Sequence, residues 1–274
     1  MRKIYYLPLD AIDLLLGRRD ELTPPRSILP TYAIRDDFGE HGEAFLQLII
    51  KLCDLKPDER VLDIGCGIGR IAVPLASYLD GNGSYEGLDI VADSISWCKK
   101  EISAKHPNFR FQLADIFNQS YNPDGRHRAS EYKFPYPGGS FDLVFLKSVF
   151  THMLPQDVEN YLGEVARVLK RNGRSLVTFF LLNHESLELI RAGKSKQAFQ
   201  YDFGAYRTAN KDLPESVVAY DEEFIRRLYE RHGLTLVEPI NYGSWPGRQD
   251  SFYGSQFGKQ DSLFNQDIVV AVKN

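Results

Sequence analysis

Three carboxylates, Asp63, Asp89 and Asp115, each close a short apolar run, and Gly65, Gly67 and Gly69 follow the first of them in VLDIGCGIGR. An acid in such a place accepts hydrogen bonds from amines and hydroxyls, and glycines let a ligand approach the backbone closely. Asp63, two residues before Gly65, is unwelcome beside a pyrophosphate and suits an ammonium group. Asp89 can accept both hydroxyls of a ribose. Asp115 is placed to accept from an exocyclic amine.

The loop itself excludes some ligands. No GxxxxGK[ST] pattern follows Gly65, so a triphosphate cradle drops out. The dinucleotide fingerprint GxGxxG fails at its third glycine, where Arg70 stands. An amino group, a ribose diol and an adenine edge are what the three acids would meet. S-adenosylmethionine (SAM) fits that set better than NAD does. The blander roles are helix caps for Asp63 and Asp89, a turn for Asp115, and relief of crowding for the glycines. Arg70 either opens the next helix beside a carboxylate or reaches the SAM carboxylate.

Stepping along the chain, strands and helices alternate. Strands are expected at RVLDIG, SYEGLDI, NFRFQLAD, FDLVFL, SLVTFFLL, LTLVEPI and QDIVVAVK. Helices are expected at residues 42–53, RIAVPLASYLD, ADSISWCKKEISAKH, PQDVENYLGEVARVLKR and DEEFIRRLYERHG, with Pro74 either in a first turn or bending its helix and Gly173 as a helix stop. This order implies an α/β fold with right-handed crossovers and a parallel sheet. No helix separates the last two strands, so the sheet should be mixed at one edge.

Residues 118–140, 183–218 and 241–265 break the rhythm, and ligands of such sheets bind beyond the carboxyl ends of strands. The expectation is one domain, 1–274, with an N-terminal extension over 1–41 and these three insertions over the active site. Within the extension, TPPRSILP reads as an extended strap, and Ile12, Leu15 and Leu16 as a short helix packed against the body, with membrane association as its alternative.

Composition adds limits. The net charge of −4 argues against a polycation seeking nucleic acid. No apolar run reaches membrane-spanning length, and Pro8, Asp10 and Asp13 spoil the start as a signal peptide. Cys53, Cys66 and Cys98 are scattered and odd in number, which suggests neither a disulfide nor a zinc framework and points to a reducing cytoplasm. The six histidines form no HxxxH pair, so no metal is expected.

With these residues in view, the chain resembles the class I SAM-dependent methyltransferases over roughly residues 42–182 and the terminal strands. VLDIGCGIG resembles their glycine-rich loop. GLDI carries the ribose acid as Asp89, and LADIF the adenine-edge residue as Asp115. SFDLVFLKSVFTHM resembles the fourth-strand motif, and VARVLKRNGRSLVTF the helix, turn and fifth strand. More narrowly, the chain is similar to small-molecule enzymes of the methyltransferase 11/25 type. The resemblance implies a Rossmann-like, doubly wound, seven-stranded, mostly parallel sheet with an antiparallel last strand. It implies SAM as cofactor, held by Asp63, Gly65, Cys66, Gly67, Gly69, Arg70, Asp89, Ile90, Asp115, Ile116 and Ser148.

Transfer to a hydroxyl is helped by a base. His152, in KSVFTHM, is the first candidate, with a loop-orienting role as its alternative; His184 is the second. Leu146, Lys147 and Ser148 stand where catechol-type enzymes carry a metal ligand and where amide or base nitrogen methylators carry Asn/Asp-Pro-Pro-Tyr. The expected reaction is therefore O-methylation of a small molecule or glycan. Arg126 and Arg128, with Trp245 and Arg248, are the candidate acceptor contacts. An NAD-dependent oxidoreductase, a non-catalytic SAM-binding protein and a peptide methyltransferase are the rival readings. Oligomeric state is not legible.

Overall fold

The computed structural model describes residues 2–17, 21–26, 38–249 and 265–274. Residues 27–30 of the strap and residues 250–264 of the third insertion lie outside the described residues. The chain divides into two compact units, Met1–Ala114 and Asp115–Asn274.

The first unit holds α1 (Arg2–Leu15), α2 (Phe38–Cys53), β1 (Arg60–Ile64), α3 (Ala72–Tyr78), β2 (Ser84–Asp89), α4 (Ala92–Cys98) and β3 (Phe109–Leu113). β1, β2 and β3 pair in parallel, with Asp63 beside Gly87 and Asp89 beside Leu113. β1 and β2 supply Val61, Leu62, Ile64, Tyr85 and Leu88 to the core, all at most 3% exposed. Burying each such side chain contributes roughly 1.5–3 kcal/mol. Pro74 lies in the first turn of α3, where its missing N–H is no loss. α4 is shorter than its sequence suggests and runs on as a wide π turn over Lys99–Ser103.

α1 reverses the expected packing. Asp10 and Asp13 face inward, 6% and 7% exposed, while Ile12, Leu15 and Leu16 are 48%, 85% and 58% exposed. The phase of the helix is set by Arg26, whose backbone N–H donates to Asp10 Oδ1 at 3.0 Å and whose guanidinium pairs with Asp13 Oδ2 at 2.9 Å. Two paired carboxylates, rather than three aliphatic side chains, choose the inward face.

The second unit holds β4 (Phe141–Leu146), α5 (Pro155–Val168), β5 (Leu169–Phe179), β6 (Leu181–Leu182), α6 (His184–Arg191), β7 (Tyr201–Asp202), β8 (Tyr206–Thr208), β9 (Val218–Asp221), α7 (Glu222–Arg231), β10 (Leu234–Leu236) and β11 (Asp267–Lys273). β4 and β5 are parallel; β11 is antiparallel to β5 and to β10. The three strands of the first unit and four of the second make up the expected seven, with the last antiparallel.

Two features depart from the sequence reading. Gly173 does not stop a helix: α5 ends at Val168, and β5 already includes Gly173. Asp142 explains the change. It binds Lys170 Nζ at 2.7–2.8 Å, and its carbonyl accepts from Arg174 at 3.2 Å, which folds residues 170–173 into a bulge. Asn172 takes the positive φ there, +61°. The second insertion is also built rather than loose, since β6, β9, β8 and β7 form a small second sheet.

Candidate functional site

The first unit carries the glycine turn. Gly65, Gly67 and Gly69 adopt φ of +80°, +52° and +77°, a region that disfavours any side chain. The N–H groups of Gly65 and Cys66 donate to Leu88 O at 2.7 and 3.2 Å, which ties the turn to the end of β2. A Cβ at Gly69 would lie 2.6 Å from Ile102 Cδ1 and 3.1 Å from Cys98 Sγ, so this glycine also seats α4 and its π turn. At Gly67, by contrast, a Cβ would meet nothing among the described residues within 4 Å. One flank of the turn is thus filled by packing and the other is open.

Asp89 braces the turn through its backbone. Its Oδ2 accepts the Gly67 N–H at 2.7 Å, and its Oδ1 accepts that of Val91 at 2.8 Å. Burial raises its pKa, while the backbone N–H groups of Val91, Gly67 and Ile90 oppose the rise. Asp63 is 2% exposed and accepts the Tyr85 hydroxyl at 2.7 Å. Tyr85 is stacked on Phe109 with centroids 5.0 Å apart, and its own pKa is pushed far up by burial and by Asp63. Tyr85 was missed in the sequence, where it reads only as a strand residue. The thiols of Cys66 and Cys98 both lean on Gly67 O, at 3.8 and 3.7 Å, and burial drives their pKa up; they pack as neutral groups. Arg70 precedes α3 instead of opening it, and its guanidinium lies 5.5 Å over the Phe38 ring.

The second unit opens on Asp115, whose carboxylate pairs with the Arg126 guanidinium and accepts the Arg126 N–H at 3.3 Å. The Arg126 bond is the main reason its pKa is lowered. Ile116 is buried and bridges to His127. Beyond it the first insertion is pinned to α5. Asn160 donates to Ala129 O and Tyr132 O at 2.8 and 3.0 Å, Arg167 donates to Tyr136 O and Phe134 O at 2.8 and 3.0 Å, and Phe134 packs edge-on against Tyr161. Arg128 remains exposed.

Ser148, just after β4, holds a positive φ of +58°. Its N–H donates to Thr178 Oγ1 at 2.8 Å, and both hydroxyls donate to Gln266 Oε1, at 3.0 and 2.6 Å. His152 sits in the short 3-10 turn that follows. Its Nδ1 lies 3.2 Å from Glu215 O, and Tyr121 meets the ring edge-on at 5.7 Å. Glu215 in turn receives Asn118 Nδ2 at 3.5 Å. Burial lowers the His152 pKa, so the neutral imidazole is favoured. With Nδ1–H donated to a carbonyl, Nε2 carries the lone pair. Glu215 is 63 positions from His152, and no local sequence signal links them.

The other candidates land elsewhere. His184 is exposed at the start of α6, with Nε2 3.6 Å from Glu188. Trp245 and Arg248 are not an acceptor-facing wall: they are 0% and 7% exposed and surround Asp267. Trp245 Nε1 donates to Asp267 Oδ2 at 2.7 Å while its ring packs on Phe180 and Phe199. Arg248 pairs with Asp267 at 3.1 Å and Glu185 at 2.7 Å and lies 4.8 Å over Tyr242. A buried carboxylate demands such partners, and it draws both side chains inward. Among the described residues, no three His, Cys, Asp or Glu side chains cluster as a metal site would require.

Comparison with known proteins agrees with this architecture. A family model described as a methyltransferase domain matches residues 55–223. The chain is 30% identical over 150 residues to 27-O-demethylrifamycin SV methyltransferase of Amycolatopsis mediterranei, covering 54% of this chain and 49% of that protein. It is 29% identical over 144 residues to the uncharacterized methyltransferase YcgJ of Bacillus subtilis, covering 52% of this chain and 47% of that one. The chain thus spans about half the length of the curated relatives it matches. Among solved structures, a SAM-dependent methyltransferase from Methanosarcina mazei superposes with a TM-score of 0.53 at 20% identity, over 82% of this chain and 96% of that one. Magnesium protoporphyrin IX methyltransferase from Synechocystis, solved with bound S-adenosylhomocysteine (SAH), gives 0.52 at 15% identity over 100% of both chains. With its glycine turn, strand-end acids and strand order, the chain belongs to the methyltransferase-domain family of class I SAM-dependent methyltransferases.

Proposed function

We propose that this protein transfers the methyl group of SAM to a hydroxyl of a small molecule or glycan. The observation that carries the reading is the turn at Gly67, which is open among the described residues where a Cβ would stand and whose N–H is held by the Asp89 carboxylate. That combination fits SAM: a backbone clear of side chains beside an acid able to take a ribose diol. Asp63 would face the amino group. Gly65, Cys66, Gly69, Arg70 and Ile90 shape the turn and its surroundings.

By its place after the third strand, Asp115 is the adenine-edge candidate, with Ile116 beside it. To accept from an adenine amine, Asp115 must share or release Arg126. Ser148 is proposed as a cofactor contact from its position after the fourth strand.

SAM supplies a sulfonium-activated methyl group that departs in an in-line displacement. The chain has to orient the acceptor and exclude water, and good positioning is worth roughly 7–11 kcal/mol of barrier. His152 supports the choice of a hydroxyl acceptor. Its neutral imidazole, oriented through Nδ1, has Nε2 available to take a proton, an effect of about 10²–10⁴-fold. The exposed His184 has no comparable orientation. Arg128 is retained as an acceptor contact, and the buried free cysteines are consistent with a cytoplasmic setting.

Calorimetric titration with SAM, SAH and NADH tests the cofactor. Tighter binding of NADH than of SAM would overturn the reading. SAH release measured against phenols, sugars and amines tests the acceptor, and turnover with amines alone would overturn the hydroxyl assignment.

A further inference from the structure

His152 is flanked by two loops that lie far apart in the sequence. One joins β8 to β9 and carries the 3-10 turn Pro214–Ser216. Its base is closed where Thr208 pairs with Val218. The other belongs to the first insertion and brings the Tyr121 ring edge-on to the imidazole. Asn118 ties the two together. Its Oδ1 accepts the N–H groups of Ser120 and Tyr121 at 3.0 and 3.1 Å, and its Nδ2 donates to the Glu215 carboxylate at 3.5 Å.

Thr208 sets where the Glu215 carbonyl lies. It is fully buried, and its hydroxyl donates to Pro214 O at 2.9 Å and accepts the Asn210 N–H at 3.3 Å. Valine has nearly the same shape and suits a strand, so packing alone does not call for a hydroxyl here. A buried hydroxyl is costly unless bonded, and this one gives its proton to the residue beside Glu215. Pro214 has no N–H, so its carbonyl is the backbone group by which the turn can be gripped there. The Ser216 N–H closes the other side of the turn on Leu213 O at 3.0 Å. Between these anchors, Glu215 O lies 3.2 Å from His152 Nδ1, and the Ser216 backbone also acts on the ring. In a neutral imidazole, the nitrogen that finds an acceptor keeps the proton and the other becomes the base. A ring protonated on Nε2 instead could not accept a proton there.

We propose that Thr208 is a positioning residue: through the Pro214–Ser216 turn it fixes the His152 tautomer in which Nδ1 holds the proton and Nε2 is the acceptor. The small second sheet thereby sets the protonation of a group outside it. In the transfer step, the hydroxyl proton of the methyl acceptor would pass to Nε2 as its oxygen bonds the methyl carbon and the broken bond's pair stays on sulfur. Thr208 itself touches neither reactant in this scheme. Its catalytic consequence rests on the reading of His152 as the base, whereas its hold on the ring does not.

The full chain, labelled with nitrogen-15 at histidine, is read by long-range proton–nitrogen NMR correlation above the pH range in which histidine titrates. His152→Gln identifies the signals. The wild type should show His152 protonated on Nδ1 alone. Thr208→Val should show both tautomers, and Thr208→Ser, which keeps the hydroxyl, should restore the single form. Turnover, read as SAH release with phenols and sugars, should fall about threefold to tenfold in Thr208→Val, the shift that loss of one neutral hydrogen bond allows. It should recover in Thr208→Ser, with SAM affinity unchanged in both. A wild-type ring protonated on Nε2 would overturn the proposal, as would a single Nδ1-protonated form in Thr208→Val or mixed tautomers in Thr208→Ser. Urea unfolding reports whether each variant folds; Thr208→Ala replaces a valine variant that does not, and the wild-type tautomer is decisive in either case. An active His152→Ala would remove the base reading, while the nitrogen signals judge Thr208 whatever the activity.

Discussion

The Asp89 carboxylate holds the Gly67 N–H at 2.7 Å, across a separation of 22 positions. A strand-end acid and a glycine turn thereby become one unit. Replacement of Asp89 by Asn keeps an acceptor for one N–H and removes the charge. Asp89→Asn should weaken SAM binding by about tenfold or more in calorimetry, as expected when hydrogen bonds to a charged group are lost. An unchanged affinity would remove Asp89 from the cofactor contacts.

Two glycines of the turn should respond differently to alanine. Gly67→Ala brings only the strain of a positive φ, about 1–2 kcal/mol, because its Cβ meets nothing within 4 Å. Gly69→Ala adds a clash with Ile102 and Cys98 and should lose roughly 1–3 kcal/mol more. Urea unfolding gives the order. SAM affinity should nevertheless fall more in Gly67→Ala than its small loss of stability explains, since the new methyl enters the open flank.

His152 should act through its neutral form. Burial lowers its pKa, so the acid limb of the pH–rate profile should lie below the ordinary value of about 6.5. His152→Ala should reduce turnover by about 10²-fold while leaving SAM affinity near that of the wild type. Turnover within about threefold of the wild type would show that this side chain is not the base.

Asp267 gives a pH dependence of stability with a definite sign. Burial pushes its pKa up to about 6, against 3.8 as the ordinary value. The folded chain therefore binds the proton more tightly than the unfolded one. Its contribution is fully present below about pH 4 and is lost as pH rises through about 6. Relative to Asp267→Asn, the wild type should lose about 2–3 kcal/mol of unfolding free energy across that window, at 1.36 kcal/mol per pKa unit. Chemical denaturation at several pH values measures it. Trp245→Phe, which forfeits the bond from Nε1 to Asp267, should lose about 1–3 kcal/mol without altering acceptor KM.

Local chemistry made much of this protein legible. β1 and β4 contain short apolar runs, and such runs are strands because both of their faces are buried; the turn after β1 needs glycine because its φ is positive. Those features depend on neighbours in sequence, so Asp63, Asp89 and the glycines could be singled out by type and spacing alone. What the tertiary structure decided involves partners far apart. Asp267 turned Trp245 and Arg248 from surface candidates into core, Glu215 oriented His152, Gln266 tied Ser148 to Thr178, and Arg26 rotated α1 so that its leucines face out. The physical reason is the same in each case. A buried polar group must find a partner wherever the fold offers one, and that demand outweighs the preference of any single side chain for the interior or the surface.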